Sequence, residues 1–218
     1  MVTACIVQAR LTSERYGAKV LLPLPSGNLV LTEVLERCAS IPGIDVVVLA
    51  IPDTPMNDIL ASDDLKVSGL MVVPRTVKII RGPEHDVLAR YVKAAEAVNA
   101  DVVMRVTADC PLIDPEVCGL TLAAFGDNDY ASNDMPRTFP VGWDCEVFTA
   151  AALRRAHMEA ATDEDREHVT PVLKRASWAK RNHLFGEPDR SHLRWTLDTL
   201  EDYVRIWSVF QEQMREAA

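Results

Sequence analysis

The chain has 218 residues, with 23 Lys or Arg against 32 Asp or Glu, a formal net charge of −9. At 48% hydrophobic and 25% charged residues the composition is that of an ordinary globular protein, which excludes disorder, collagen and coiled coil. The acidic balance argues against a general nucleic-acid binder, which needs a broad basic footprint. It leaves room for a local basic pocket that holds one anionic small molecule.

The longest clean apolar run, residues 46–51, is six residues, whereas a membrane-spanning helix needs ~20. The first residues carry no basic segment ahead of an apolar one, so no secretory signal and no membrane association are expected. The five cysteines, at positions 5, 38, 110, 118 and 145, contain no C-x-x-C. Reduced thiols in a cytoplasmic protein are expected, without a zinc site.

In chain order, residues 2–8 are apolar and β-branched and read as a buried strand. A non-periodic stretch with three cations follows, then an apolar piece at 20–24. Residues 29–39 carry a helical stripe at 30, 31, 34, 35 and 38. Residues 45–51 form a second strand, stopped by Pro52-Asp53-Thr54-Pro55. A weaker helix is expected over 57–65 and extended pieces over 70–73 and 77–80. Asp86 is placed to cap a helix over 87–98. A third strong strand spans 101–107, and Pro115 suits the first turn of the next helix.

This alternation predicts a mainly parallel sheet with right-handed crossovers and helices on both faces. Ligands in such sheets sit beyond the carboxyl ends of the strands. The segments after Gln8, Ile51, Ile80 and Thr107 are therefore expected to converge on one crevice. Further on, residues 130–133 and 143–148 read as extended and 150–161 as helical. Residues 164–176 also read as helical, with Pro171 a kink or boundary, and 194–197 as a strand. Thr199 with Asp202 forms a capping-box pattern ahead of a last helix over 200–215. One domain over 1–218 is expected, with a small lobe inserted at about 135–185.

Two groups of residues could do chemistry. Arg10, Ser13, Arg15 and Lys19 lie within ten residues just past the first strand. Arg grips phosphate through paired donors and Lys acts as a mobile point charge; the plainer reading is a solvated loop. Neither a Walker A loop nor G-x-G-x-x-G occurs. Asp109 and Asp198 each follow a predicted strand, and carboxylates together with phosphate oxygens are the hard ligands that magnesium takes. The plainer reading makes Asp114 and Asp198 helix caps and Asp109 a turn former. Asp127-Asn128-Asp129 spells D-x-D, but it follows a helix, so a solvated turn is the better reading.

Gln8-Ala9-Arg10, Ser13, Arg15 and Lys19-Val20-Leu21-Leu22-Pro23-Leu24 resemble the Q-A-R-M-G-S-T-R-L-P-G-K-V-L-L-P-L opening of the cytidylyltransferase family. That family includes the KDO and acylneuraminate enzymes, and the nearest likeness is to its SpsF-type spore-coat polysaccharide branch. Arg81-Gly82-Pro83-Glu84-His85-Asp86-Val87-Leu88-Ala89-Arg90-Tyr91 is similar to R-G-S-E-D-D-V-L-D-R-Y. Thr107-Ala108-Asp109-Cys110-Pro111-Leu112-Ile113-Asp114 is similar to T-G-D-C-P-L-I-D. The likeness continues through Arg137-Thr138-Phe139-Pro140, Gly142-Trp143-Asp144-Cys145-Glu146, Arg166-Glu167-His168-Val169-Thr170 and Leu193-Arg194-Trp195-Thr196-Leu197-Asp198.

The resemblance implies an α/β, Rossmann-like nucleotide-diphospho-sugar transferase fold. It also implies transfer of CMP from CTP to an acidic small molecule, with release of pyrophosphate. Carried over, Arg10 and Lys19 would hold the triphosphate, with Ser13 and Arg15 nearby. Asp109 and Asp198 would be the catalytic ligands of Mg2+. Ala9, Asp53 and Arg81 would line the base and ribose pocket, with Asp109 beside the phosphates. Arg137, Trp143, Asp144, Glu146, His168 and Arg194 would meet the acceptor. A homodimer contact through the small lobe is implied as well.

Several positions depart from the family pattern. Thr12 and Ala108 stand for Gly, Gly17-Ala18 for Pro-Gly and Leu200 for Pro, and about eight extra residues occur around 62–75. The competing readings are a glycosyltransferase on the related fold using the D-x-D at 127–129, and a non-catalytic nucleotide-binding homologue.

Overall fold

The central strands are apolar at nearly every position. Successive side chains of a strand point to opposite faces, so both faces of this sheet must be covered. In the computed structural model, which describes residues 1–12, 16–62 and 77–216, they are. Strands β1 (Thr3–Gln8), β2 (Val46–Pro52), β3 (Val77–Gly82) and β4 (Val102–Thr107) run parallel. They are continued by β5 (Tyr130–Ser132), β6 (Glu146–Thr149) and β7 (Arg181–His183). The spatial order is β3-β2-β1-β4-β6-β5-β7, and only β6 runs against the rest.

On one face Cys5, Val7, Leu49 and Met104 pack with Leu31 and Leu35 of helix α1 (Val30–Ala39). On the other, Ala4, Ile6, Val48 and Val103 pack with Leu88 and Tyr91 of α2 (Val87–Ala97). Helix α3 (Pro115–Phe125) joins the first layer through Cys118 and Phe125. Helix α4 (Ala150–Glu159) joins the second through Leu153. The helix starts follow the local chemistry. The Asp86 carboxylate accepts from the Ala89 amide at 2.8 Å, and that of Asp114 accepts from Glu116 and Val117 at 2.9 and 3.1 Å.

The stretch expected as one helix over 164–176 is two, α5 (Asp163–His168) and α6 (Pro171–Arg175). Pro171 opens the second, where its missing N–H costs nothing. Of 57–65, residues 57–61 belong to a 3₁₀ segment, Pro55–Ala61, rather than an α-helix; residues 63–65 and the extended piece over 70–73 lie outside the described residues. Residues 194–197 form no strand but a single bridge, Arg194 to Val141. The strand β7 is polar and lies at the sheet edge, so its sequence carries no apolar alternation. Within 135–185, β6 and β7 belong to the same sheet as the first half.

The last helix, α7 (Leu200–Glu216), docks Ile206 and Phe210 on Leu24, Val30, Leu112 and Leu197. That small cluster ties the end of the chain to the loop after β4. Among the described residues, no helix is long and apolar enough to cross a membrane.

Candidate active site

The chain leaves β1 for β2 on one side and returns as β4 on the other, so the strand order reverses between β1 and β4. A crevice opens there, past the carboxyl ends. Gln8, Ala9 and Arg10 at the end of β1 border it, as do Thr107, Ala108 and Asp109 at the end of β4, around a cavity of about 310 Å³. Lys19 reaches it from a 3₁₀ turn, Lys19–Leu21, and Asp198 from the segment ahead of α7. That segment is anchored by the Leu197 amide on the Asp109 carbonyl at 2.8 Å and the Trp195 amide on Val141 at 2.6 Å. Gly142 permits this approach: at φ +103° a Cβ there would stand 2.7 Å from the Trp195 carbonyl carbon.

The Lys19 ammonium lies between two carboxylates, donating to Asp109 at 2.7 Å and to Asp198 at 2.9 Å. Burial opposes its charge, but the two aspartates outweigh burial and raise the Lys19 pKa. Burial likewise pushes Asp109 up, and Lys19 outweighs it, so the carboxyl sits below its usual range. Asp198 also accepts from Arg194 at 2.7 Å, and Arg194 in turn reaches Asp202 at 3.2 Å. Arg10 meets Glu167 at 3.1 Å.

Sequence reading missed two further cations that border the cavity, Arg90 and Arg105. Arg90 is buried against the Pro83 carbonyl at 2.7 Å, and burial lowers its pKa to about 10. Arg105 pairs with Glu146 at 2.6 Å. The available signal was a lone Arg inside the apolar strand Val102-Val103-Met104-Arg105-Val106. Four polar atoms of residues that line the cavity have no hydrogen-bond partner among the described residues: Gln8 Oε1, Arg90 Nε, Arg105 Nε and Thr196 Oγ1.

A second cavity, about 660 Å³, shares Arg105, Thr107 and His168 with the first and is also lined by Asp134, Asp144, Glu146, Thr170 and Lys174. Arg137 and Asp144 are paired through a short hydrogen bond. Burial raises the Asp144 pKa, against the opposing effect of Arg137. Glu146 accepts from Arg105, from Tyr130 at 2.7 Å, from Thr170 at 2.8 Å and from Lys174 at 2.9 Å.

The structure thus brings together Ala9, Arg10, Lys19, Asp109, Asp198 and, in the adjoining cavity, Asp144, Glu146 and His168. It does not bring in Asp53 or Arg81. Asp53 is exposed, and Arg81 turns to Asp58 at 2.7 Å. Asp53 follows β2 and Arg81 lies in β3, one and two strands away from the reversal point. Trp143 and Arg194 border neither cavity; the Trp143 ring lies under the Arg190 guanidinium at 4.8 Å. Ser13 and Arg15 lie outside the described residues. Asp127 pairs with exposed Lys180 at 3.2 Å. It precedes β5, which runs in the direction of β4, so the D-x-D sits at the amino end of the sheet, opposite the crevice.

No group of three or more His, Cys, Asp or Glu side chains suited to a metal occurs among the described residues. Two carboxylates facing a phosphate-sized cavity nonetheless fit a magnesium ion, which keeps several waters and takes one or two protein carboxylates beside substrate phosphates.

An α/β sheet with a cation-lined crevice at its reversal point and a carboxylate pair beside it defines a nucleotidyltransferase-like protein. Known proteins narrow this. The family model described as Cytidylyltransferase matches residues 4–217. The spore coat polysaccharide biosynthesis protein SpsF of Bacillus subtilis is 32% identical, over 95% of this chain and 85% of that protein. A cytidylyltransferase structure from Leptospira borgpetersenii superposes with a TM-score of 0.86 at 30% identity, over 97% of this chain and 87% of that one. The fold is also that of a CMP:2-keto-3-deoxy-manno-octonic acid synthetase solved with CTP, with a TM-score of 0.70 at 15% identity, over 98% and 100% of the two chains. The chain belongs to the cytidylyltransferase family, in its SpsF-like branch.

Proposed function

We propose that this protein transfers CMP from CTP to a small-molecule acceptor and releases pyrophosphate. The observation that carries the reading is the Lys19 ammonium held between Asp109 and Asp198 at the edge of the 310 Å³ cavity. The triphosphate lies along Arg10, Lys19, Arg90 and Arg105, and the acceptor enters from the second cavity. An acceptor oxygen attacks the α-phosphorus, the bond from that phosphorus to the β-phosphate bridge breaks, and the hydroxyl proton leaves to water. The four cations neutralise charge that grows on the phosphate oxygens. Binding displaces Arg10 from Glu167, freeing its guanidinium for phosphate. Asp109 and Asp198 would hold magnesium, which supplies Lewis-acid neutralisation of the leaving pyrophosphate.

The test is pyrophosphate release from CTP with magnesium and a panel of acceptors. Release supports the reading. A rise in melting temperature with CTP but no product from any acceptor supports the non-catalytic homologue. Liberation of a nucleoside diphosphate from a nucleotide sugar supports the glycosyltransferase, which the position of the D-x-D disfavours. A homodimer joined through 135–185 belongs to the same proposal. Light scattering after size exclusion supports it at twice the chain mass and overturns it at 24.2 kDa.

A further inference from the structure

A carboxylate that holds a metal is oriented by hydrogen bonds from groups that do not themselves touch the metal. Asp198 has such a partner. Its Oδ1 accepts from Lys19 at 2.9 Å, and its Oδ2 accepts from Arg194 at 2.7 Å. Asp198 lines the first cavity, whereas Arg194 borders neither cavity. The guanidinium therefore grips the carboxylate from outside the site.

Arg194 is itself fixed at both its backbone and its side chain. Its backbone forms the bridge to Val141, with the Trp195 amide on the Val141 carbonyl at 2.6 Å and the Val141 amide on the Leu193 carbonyl at 2.9 Å. Its Nε donates to Asp202 Oδ1 at 3.2 Å. The other oxygen of Asp202 accepts the amides of Asp198 and Thr199 at 3.0 and 3.1 Å. Asp202 is only 4% exposed. One buried carboxylate thus holds the main chain of Asp198 directly and its side chain through Arg194. Capping of α7 accounts for the amide bonds. It does not call for a guanidinium that spans from Asp202 to Asp198, which is a task for the rigid fork of Arg rather than the single head of Lys.

We infer that Arg194 is a positioning residue, which together with Asp202 sets the orientation of Asp198 toward a divalent ion. This rests on Asp109 and Asp198 being the metal ligands of the proposed transferase.

Charge and orientation pull in opposite directions here, which makes the inference testable. Arg194→Ala removes a positive charge beside Asp198, and by charge alone that tightens the hold on a divalent ion. Loss of orientation loosens it. The probe is Mn2+, which takes the same oxygen ligands as magnesium and whose free form is read by electron paramagnetic resonance. Its dissociation constant is measured with each chain in excess over CTP, and CTP alone gives the baseline. Arg194→Ala is expected to bind Mn2+ at least about tenfold more weakly than the wild type. Arg205→Ala removes the other guanidinium on Asp202 Oδ1, at 3.0 Å, and is expected to stay within about twofold of the wild type. Arg194→Lys keeps the charge on a head that reaches one acid at a time. It is expected to be at least about threefold weaker, and it carries the test should Arg194→Ala fail to fold. Unchanged or tighter Mn2+ in Arg194→Ala, equal weakening in Arg194→Ala and Arg205→Ala, or wild-type affinity in Arg194→Lys overturns the inference. A wild-type chain that adds nothing to the Mn2+ binding of CTP alone is a different result and sinks the transferase reading.

Discussion

Lys19 and Asp198 lie 179 positions apart in sequence, yet their side chains share a buried hydrogen bond of 2.9 Å. The same ammonium bonds Asp109, so one cation holds an aspartate from mid-chain and one from near its end on a single edge of the crevice. Lys19→Ala removes the charge and leaves the carboxylates facing each other. Loss of one partner from a buried pair costs ~3–5 kcal/mol, and a quarter-exposed Asp109 puts this site at the low end. Urea denaturation is expected to show that loss, and pyrophosphate release is expected to fall to background. Wild-type turnover would remove Lys19 from the proposed chemistry.

The aspartates themselves separate charge from shape. Asp109→Asn and Asp198→Asn keep an oxygen that accepts from Lys19 but lose the negative charge offered to a divalent ion. Each variant is expected to keep the wild-type circular dichroism spectrum while turnover drops at least a hundredfold. A melting temperature that falls by more than ten degrees would instead mark the pair as structural.

Glu146 links stability to acid. Burial pushes its pKa up, but Arg105, Lys174 and the Tyr130 hydroxyl outweigh burial and hold it at about 2, against an ordinary 4.5. A depressed carboxyl contributes stability that is full above the unfolded value and is lost as pH falls toward the folded one. The wild type is therefore expected to lose this contribution between about pH 4.5 and pH 2. Glu146→Gln leaves Arg105 without its charge partner and is expected to be ~3–5 kcal/mol less stable at pH 7. Its stability should fall less than that of the wild type across the acid window, which denaturant titrations at pH 7, 4 and 3 would read.

The strands β1, β2 and β4 are legible in sequence because a strand covered on both faces must be apolar throughout. Helices α2 and α3 are legible because Asp86 and Asp114 announce their starts. The carboxylate pair is legible as two acids past two predicted strands, of which only β4 forms, but their meeting is not. It depends on Gly142 letting the 195–196 backbone approach closely, a contact that spacing does not encode. Arg90 and Arg105 escape reading because motif matching favours polar loops, whereas these cations come from a helix and a strand. Asp53 and Arg81 mislead for the converse reason: they lie past the end of β2 and at the end of β3, but those strands are not the pair that flanks the reversal point.

Ala18 offers a test that does not touch the chemistry directly. It stands where the family motif has Gly, and its φ is +53° with ψ 19°, in the left-handed region. A Cβ in that conformation costs roughly 1–2 kcal/mol, while Gly adds up to ~1 kcal/mol of chain entropy on unfolding. The strained conformation is held because the Ala18 amide bonds the Leu11 carbonyl at 3.0 Å and the Ala18 carbonyl receives the Leu21 amide at 2.9 Å. Ala18→Gly should therefore be neutral to ~1 kcal/mol more stable, read as a denaturation midpoint at or above that of the wild type. A clear loss of stability would mean that the methyl group makes a contact worth more than the backbone strain it imposes.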